Sequence, residues 1–366
     1  MAIERERKFR ASLDQARALT LDAPSAEIEQ LYLSPLGAND ELRIRRIGSG
    51  SLLATLKQGS GERREETEVN ITPLAWRVLS PQAVAKVLKT RHYLDPTRNI
   101  TLDTYHNEPA RHYGLLEIEE GLDDDITDFD PYELGAGNMP EITSSKSASN
   151  RQLATPLERT GSTSTATTED LLRAVHAIYE PTGTPQLITI GGPSASGKST
   201  LLETLRKQYG NDITMLTSDN YYIGKTRMRH EMPTGQEENF DHPRAIDTAR
   251  LASDLSALRA RQTATTPLYD MLTSEPLADT GQHGPTPLII VEGLVANHPE
   301  LRKLSRLSVA LDAPLHERLV RRIERDRTRK AHTPETTMDT FLNLVEPSYH
   351  AHYADFDRTA DLHIST

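Results

Sequence analysis

The stretch from Gly192 to Ser199 restricts the possible folds of this chain more than any other part of the sequence. It reads GPSASGKS, follows the apolar run LITI (residues 187–190) and precedes a predicted helix. A glycine-rich turn between a strand and a helix lets successive backbone N–H groups converge on phosphate oxygens at the helix N-terminus. Lys198 would neutralise the outer phosphates, and the Ser199 hydroxyl would bind Mg²⁺. We therefore expect a domain that binds a nucleoside triphosphate.

Length and composition limit the number of domains and the class of protein that we expect. At 366 residues the chain is longer than most domains that are built around a single hydrophobic core, so two domains are expected. It contains no cysteine, which excludes disulfides and thiolate metal sites and fits a reducing cytoplasm, where we expect the protein. The net charge of -11 argues against a general nucleic-acid binder. No apolar run approaches the roughly 18 residues that a membrane span needs.

A Ser- and Thr-rich stretch divides the chain. Residues 141–168 contain no aromatic side chain and predict a flexible linker. Residues 1–140 alternate apolar and polar positions between turn residues, so this half is predicted to be strand-rich with one helix around 73–88. Residues 169–366 begin with an amphipathic helix over 169–179 and continue as strands alternating with helices. That alternation predicts an α/β domain with a mainly parallel sheet.

Five further motifs follow the glycine-rich loop in order. They are TSDNYY (217–222), NFDHP (239–243), PLYD (267–270), VEG (291–293) and RRIERD (321–326). Together with the loop, this ordered set resembles the uridine kinase and phosphoribulokinase family of P-loop kinases. The resemblance extends over residues 186–366.

The resemblance implies transfer of a phosphoryl group from ATP (or GTP), with Mg²⁺, to a nucleoside-like hydroxyl acceptor of the uridine or cytidine type. Asp219 matches the catalytic aspartate that takes the acceptor's proton, although a helix N-cap is a competing role. The expected catalytic groups are Asp219, Lys198, Arg321 and Arg325. A solvated helix face is preferred for Arg322. The nucleotide would be held by Gly192, Ser194, Ala195, Ser196, Gly197, Lys198, Ser199 and Thr200, the metal by Ser199 and Glu292, and the acceptor by Tyr222, Asp241 and Tyr269.

One part of the kinase pattern is missing. After the Tyr-Asp pair, uridine kinases usually have a histidine and an arginine that help to read the pyrimidine, whereas residues 271–276 here are MLTSEP. The resemblance therefore supports kinase chemistry and leaves the acceptor open between uridine, cytidine and another hydroxyl compound.

The opening strand IERERKF (residues 3–9) places two acids and a lysine on one face. Other segments of this half alternate charges in the same way. A single such strand would be an ordinary solvated face, but repetition over seven strands favours a sheet closed around a charged lumen. The residues of this predicted face are Glu4, Glu6, Lys8, Arg43, Arg45, Lys57, Arg64, Glu66, Glu68, Lys89, Arg91, Asp103, Glu117 and Glu119.

The motif E-x-E-x-K at Glu4–Lys8, with RIRR, T-x-K, R-x-E-x-E and E-I-E further on, resembles the triphosphate tunnel metalloenzymes, or CYTH family, from residue 2 to about 135. The resemblance implies an α+β domain built as a closed antiparallel β tunnel for an inorganic or nucleoside triphosphate. The expected triphosphate-binding bases are Lys8, Arg43, Arg45, Lys57, Arg64 and Arg91. The expected ligands for Mg²⁺, or for Mn²⁺, are Glu4, Glu6, Glu117 and Glu119.

Several functions are compatible with this pair of domains. The first is a nucleoside-type kinase joined to a metal-dependent triphosphatase. The second is chiefly a tripolyphosphatase or nucleoside triphosphatase with a divergent kinase domain. The third is a kinase regulated by a polyphosphate-sensing tunnel; cyclase activity has no specific support. The retained glycine-rich loop, Asp219 and Glu292 favour a working kinase. Oligomeric state and coupling between the domains stay open.

Overall fold

The computed structural model describes residues 6–48, 50–59, 65–107, 110–119, 126, 129–143, 150–157, 165–179, 183–235, 239–330 and 332–366. The chain divides into two compact units, Met1–Thr160 and Gly161–Thr366. In the described part of the chain, no helix is both long and apolar enough to cross a membrane.

The first unit is an antiparallel sheet, which confirms the predicted strand-rich half. The strands run in the order β1-β8-β7-β6-β2-β3-β4-β5, with β9 beside β6. Their bounds are β1 (Glu6–Ser12), β2 (Ser25–Tyr32), β3 (Glu41–Ile47), β4 (Ser51–Gln58), β5 (Glu65–Asn70), β6 (Ala85–Asp95), β7 (Ile100–Tyr105), β8 (Tyr113–Glu119) and β9 (Thr155–Pro156). The described part of this unit also contains the helices α1 (Leu13–Thr20) and α2 (Pro73–Leu79).

The strand register places the charged residues on one face of this sheet. Lys8 lies opposite Glu117, and Arg91 lies opposite Asp103. Directly opposed residues of an antiparallel pair project to the same side, and successive residues alternate, so the same side continues through every described strand. The predicted one-face alternation is confirmed for the described residues. The other face carries an apolar cluster that includes Phe9, Leu102, Leu116 and Ile118 and packs against Ala16 of α1.

The sheet curls with its charged face inside. In a flat sheet Lys57 on β4 and Glu119 on β8 would be about 24 Å apart, because five strand spacings separate them. Lys57 is nevertheless close enough to lower the pKa of Glu119. The side chains inside are strongly buried: the exposed fraction is 0% for Asp103 and 2% for Lys89. Within the described residues no β-ladder joins the outer strands β1 and β5.

Part of the predicted flexible linker packs onto this unit. Leu153 and Ala154 join an apolar cluster at one end of the curled face. The side-chain oxygen of Asn150 accepts hydrogen bonds from Tyr105 Oη (2.7 Å) and Lys89 Nζ (3.3 Å). Flexibility therefore does not extend over the whole predicted stretch, because these residues supply the apolar and amide groups that order them. Residues 144–149 and 158–164 lie outside the described residues.

The helix predicted around 73–88 is shorter in the structure. It ends at Leu79, a single 3-10 turn covers Ser80–Gln82, and β6 begins at Ala85. Pro81 explains the difference, because proline lacks the N–H that a continuing helix needs and disfavours helical geometry in the residue before it.

The second unit is an α/β layer structure, as predicted. Its sheet has the order β11-β14-β10-β15-β16 with every pairing parallel. The strands are β10 (Gln186–Gly191), β11 (Ile213–Thr217), β14 (Leu288–Glu292), β15 (Leu307–Asp312) and β16 (Leu362–Ser365), with a separate hairpin of β12 (Ala264–Asp270) and β13 (Glu275–His283). The helices are α3 (Thr168–Ile178), α4 (Lys198–Tyr209), α5 (Lys225–Glu231), α6 (Thr248–Arg259), α7 (Pro299–Arg302), α8 (Leu315–Lys330), α9 (Pro334–Thr340), α10 (Glu346–His352) and α11 (Ala354–Arg358).

Helices cover both faces of the parallel sheet. Alternate strand residues pack against α6 on one face and against α3 and α4 on the other. Burial on both faces explains why strand residues such as 288–291 read as an unbroken apolar run. The carboxyl ends of the parallel strands meet at one edge, where Glu292 lies between Thr217 and Ile190, and Asp312 lies beside Ser365. Ligand sites of such sheets form at that edge.

Candidate active site

The glycine-rich loop joins β10 to α4 as predicted. Gly192 and Gly197 have φ values of +139° and +91°, in the region that favours glycine. A Cβ atom on Gly192 would lie 2.2 Å from the carbonyl oxygen of Leu311, so the close approach of β15 also requires glycine. No side chain caps the N-terminus of α4. The first N–H groups of this helix are therefore free of side-chain competition for an anion.

Lys198 lies over the loop. Its Nζ donates hydrogen bonds to the carbonyl oxygens of Gly192 (2.8 Å) and Pro193 (2.9 Å). Burial lowers the pKa of this lysine, and the carboxylates of Glu292 and Asp219 oppose that effect. The ammonium group is thus placed between the phosphate-binding backbone and two acids.

Asp219 and Glu292 come from neighbouring strand ends. Burial raises the pKa of both carboxyls, and Asp219 raises the pKa of Glu292 further. Asp219 is not an N-cap: it lies inside a short turn, Ser218–Tyr221, whose capping residue is Thr217. Its carboxyl is therefore not engaged in capping. Among the described residues no three Asp, Glu or His side chains form a metal-holding group. The predicted metal ligands Ser199 and Glu292 line one cavity together with Asp219.

Helix α8 places Arg321 and Arg322 beside the loop, and its Arg325 lines the same cavity. Arg321 donates to Ala195 O (3.4 Å), and Arg322 donates to Ser194 Oγ (2.8 Å). The prediction of a solvated Arg322 is wrong: its side chain is 15% exposed, lines the cavity and lowers the pKa of Asp219 and Asp241. Helical spacing could have shown this, because Arg322 lies three residues before Arg325 and shares its face.

Three aromatic rings and a carboxyl form the opposite wall. The ring centroid of Tyr222 is 5.7 Å from that of Phe240 and 5.3 Å from that of Tyr269. Burial raises the pKa of the nearby Asp241 to about 6, with Asp219 and Glu346 adding to the shift and Arg322 opposing it.

One cavity of about 980 Å³ brings all the predicted residues of this unit together. The residues assigned from sequence that line it are Gly192, Ser194, Ala195, Ser196, Gly197, Lys198, Ser199, Thr200, Asp219, Tyr222, Asp241, Tyr269, Glu292, Arg321 and Arg325.

A buried polar network under the loop was not predicted from sequence. Asn297 accepts from Thr189 Oγ1 (2.8 Å) and donates to Asp357 Oδ1 (2.8 Å), and Tyr349 Oη donates to Asp357 Oδ2 (2.8 Å). A Cβ atom on Gly191 would lie 2.3 Å from Asp357 Oδ1, so the network presses against the start of the loop. No short motif marks these residues, because they lie up to 168 positions apart in the sequence.

In the first unit the structure groups the predicted bases with acids. Arg91 donates to Asp103 (2.8 Å) and to Glu117 (2.7 Å). Lys57 pairs with Glu66 at 2.7 Å. The remaining pairs are Lys8 with Glu6 (2.7 Å) and Glu117 (3.4 Å), Arg43 with Glu41 (3.4 Å) and Glu66 (3.7 Å), and Arg45 with Glu68. Two predicted residues, Glu4 and Arg64, lie outside the described residues.

Protonation inside the curled sheet follows from these pairs. Burial alone would raise the pKa of Asp103, but Lys89 and Arg91 hold it below its usual value. Burial and Glu117 raise the pKa of Glu119. Glu41, which sequence reasoning missed, extends the charged face opposite Lys57. No group of three metal-type ligands is found among the described residues, so the metal ligands predicted here stay a prediction.

Comparison with known proteins identifies the second unit. The sequence pattern of the phosphoribulokinase/uridine kinase family matches residues 187–366. A uridine kinase of Clostridium perfringens is 32% identical over 180 residues, which are 49% of this chain and 86% of that protein. The chain belongs to the phosphoribulokinase/uridine kinase family. A uridine kinase of Shewanella denitrificans is 36% identical over 169 residues, covering 44% of this chain and 79% of that kinase. A solved inorganic triphosphatase is 26% identical, with a TM-score of 0.30, over 44% of this chain and 99% of its own.

Proposed function

We propose that the second unit transfers the terminal phosphoryl group of ATP to the hydroxyl of an uncharged, nucleoside-like acceptor. One observation carries the proposal: the glycine-rich loop, Asp219 and the aromatic wall line a single cavity. The relatives named uridine kinases support the same reaction class. Membership of the family supports the use of ATP and Mg²⁺.

Each group has a role that its position suits. The loop N–H groups and Lys198 bind the phosphates, and the α8 arginines neutralise charge on the phosphoryl group as it moves. Asp219 holds the proton of the acceptor hydroxyl, and its raised pKa brings it closer to the operating pH. Ser199 and Glu292 supply the oxygen donors that Mg²⁺ prefers. Bound there, Mg²⁺ would supply positive charge that offsets the negative charge of the phosphates.

The acceptor wall favours an uncharged partner. Asp219 and Asp241 place carboxyl groups on this side, while the rings of Tyr222, Phe240 and Tyr269 carry no charge. A sugar phosphate or carboxylate would meet like charge there, which costs several kcal/mol. A flat, neutral ring would instead stack against the aromatic side chains.

The kinase proposal is tested by incubating the protein with Mg-ATP and either uridine or cytidine and separating the products. Wild type is expected to form the nucleoside monophosphate, and Lys198→Ala is expected to lose at least about a hundredfold in rate. Lys207→Ala is the matched control, because this exposed lysine lies at the far end of the same helix. Absence of phosphorylated product from every nucleoside offered would overturn the proposal.

We propose a second function for the first unit: binding and hydrolysis of a linear triphosphate with Mg²⁺ or Mn²⁺. The observation that favours it is the enclosed face on which cationic side chains are buried in alternation with acids. Arg and Lys donors suit phosphate oxygens, and acids cannot contact phosphate without a cation between them. Glu6, Glu117 and Glu119 lie on neighbouring strands where such an ion would bind.

Arg45 and Arg46 provide a matched pair for the second function. They are adjacent on β3 but project to opposite faces: Arg45 contacts Thr55 inside, whereas Arg46 lies over the Trp76 ring outside. Arg45→Ala is expected to weaken tripolyphosphate binding at least about tenfold, and Arg46→Ala to leave it unchanged. Calorimetry measures binding, and phosphate release separates hydrolysis from sensing alone. Equal effects of the two variants would contradict the proposed site.

A further inference from the structure

The far end of the acceptor wall is apolar. The turn between β12 and β13 carries Met271 and Leu272, which line the cavity with exposed fractions of 44% and 78%. They line the same cavity as Tyr222, Phe240 and Tyr269. An acceptor whose hydroxyl reaches Asp219 would place its remaining ring atoms along this surface.

The polar groups of this turn are already engaged. The Asp270 carboxylate accepts hydrogen bonds from Leu272 N (2.9 Å) and Thr273 Oγ1 (2.7 Å). The carbonyl oxygen of Ser274 accepts from Lys225 N at 2.8 Å. The Glu275 carboxylate accepts from Thr226 N (2.8 Å) and Thr226 Oγ1 (2.6 Å). These contacts hold the turn and engage the Asp270 and Glu275 carboxylates without a ligand.

Apart from the Asp241 carboxyl, the polar side chains left on this wall are hydroxyls. Tyr269 and Ser274 line the cavity beside Met271 and Leu272. A hydroxyl either donates or accepts a hydrogen bond by rotating its hydrogen. It therefore accommodates a ring carbonyl and a ring amino group equally well. No lysine, arginine, histidine, asparagine or glutamine of this turn, residues 271–274, is present to fix one pattern of ring atoms.

We infer that the second unit does not read the ring of its acceptor, and phosphorylates uncharged ribosyl compounds with pyrimidine or purine rings at similar efficiency. The inference rests on the kinase function proposed above. An apolar pocket distinguishes ligands by only about 10–200-fold, whereas sites that hydrogen-bond a specific group reach about 10⁴–10⁵. Stacking against aromatic rings and contact with Met271 and Leu272 depend little on which polar atoms the ring carries.

The test compares kcat/KM for uridine, cytidine, adenosine and inosine with saturating Mg-ATP. We expect the four values to agree within about a factor of ten, because the turn at residues 271–274 carries no directional group that selects among them. Ribose 5-phosphate is the charged comparison and is expected to react far more slowly. A preference of about a thousandfold or more for one ring would overturn the inference while leaving the kinase function intact. Failure of all four nucleosides would overturn the kinase function and this inference with it.

A double variant shows whether the apolar turn contributes the contact. Met271→Ala with Leu272→Ala is expected to lower kcat/KM for all nucleosides by a similar factor, chiefly through KM, because the lost contact is common to every ring. Leu277→Ala is the matched control, since this leucine on β13 is also exposed but does not line the cavity. A loss confined to one nucleoside, or an equal loss in Leu277→Ala, would contradict the inference.

Discussion

Asp241 is a carboxyl whose charge the folded protein disfavours. Its pKa of about 6 lies above the value of 3.8 expected for an ordinary aspartate. A raised folded-state pKa means that stability is lost as pH rises from about 4 to about 6. We expect Asp241→Asn to be more stable than wild type at pH 7.5, by up to about 3 kcal/mol, and equally stable near pH 4. The same variant is expected to lose kinase activity.

Urea unfolding at pH 7.5, 5.5 and 4 measures this difference for Asp241. The matched control is Asp355→Asn, because Asp355 is an exposed carboxyl that pairs with Arg358 at 2.6 Å on the surface. A stability gain that is the same at every pH would show that shape, rather than charge, is responsible. A carboxyl kept in a site where it lowers stability is typical of function, since binding needs it and folding does not.

Residues within short motifs were predictable, and residues that meet only through folding were not. Lys198 and Asp219 were found because their chemistry depends on neighbours within a few positions. Asp357 was missed because its partners, Asn297 and Tyr349, belong to other helices and loops, and nothing local distinguishes it from an exposed aspartate. Arg322 was assigned to solvent because the composition of a helix shows only that it is basic. Which face of the helix is buried depends on the elements packed against it, here the glycine-rich loop with Ser194.

At the level of elements, α8 is anchored to α10 by a buried ion pair. Arg318 makes a two-point contact with Glu346, including a hydrogen bond of 2.9 Å, and both side chains are almost fully buried. Arg318 also donates to Ala313 O at 3.0 Å. A turn of π-helix, Phe341–Val345, leads directly into α10 and precedes Glu346. The pair therefore fixes the helix that carries the cavity arginines.

Removing one partner of this pair is expected to cost more than removing both. Glu346→Gln leaves the Arg318 charge buried without a counter-ion and should lower the free energy of unfolding by about 3–5 kcal/mol. The double variant Arg318→Met with Glu346→Leu should recover much of that loss, because no buried charge remains. The measurement is denaturant unfolding of wild type, Glu346→Gln and the double variant. A double variant at least as unstable as Glu346→Gln would refute the explanation.

Secondary-structure elements were predicted best where the spacing of apolar residues and the capping residues indicate the same boundaries. The helix expected over 169–179 is found at Thr168–Ile178, because a capping box at Thr167 and an apolar stripe both mark it. The helix expected around 73–88 was too long, because apolar spacing continued past Pro81 into a strand. The linker was predicted to be flexible over its whole length because its average composition is polar. Leu153 nevertheless packs in an apolar cluster, and Asn150 accepts a hydrogen bond from Tyr105.

At the level of the whole molecule, each unit has its own apolar clusters, so each should fold alone. The family pattern begins at residue 187, but the second unit begins earlier. Helix α3 buries Leu171 and Val175 completely against the sheet, and Ala166 N donates to His363 O at 2.7 Å. The fold boundary therefore precedes the sequence-family boundary, because a helix outside the family pattern covers part of the sheet.

Two fragments test where the second unit begins. A fragment of residues 165–366 is expected to unfold cooperatively, and a fragment of residues 185–366 to be less stable by about 3–6 kcal/mol, because the two fully buried α3 side chains are lost. In the full chain, Leu171→Ala should cost about 2–5 kcal/mol, whereas the neighbouring exposed residue in His176→Ala should cost little. Urea unfolding compares all four proteins. Equal urea midpoints for the two fragments would show that α3 does not stabilise the second unit. The helices within the family pattern would then be sufficient to bury the sheet.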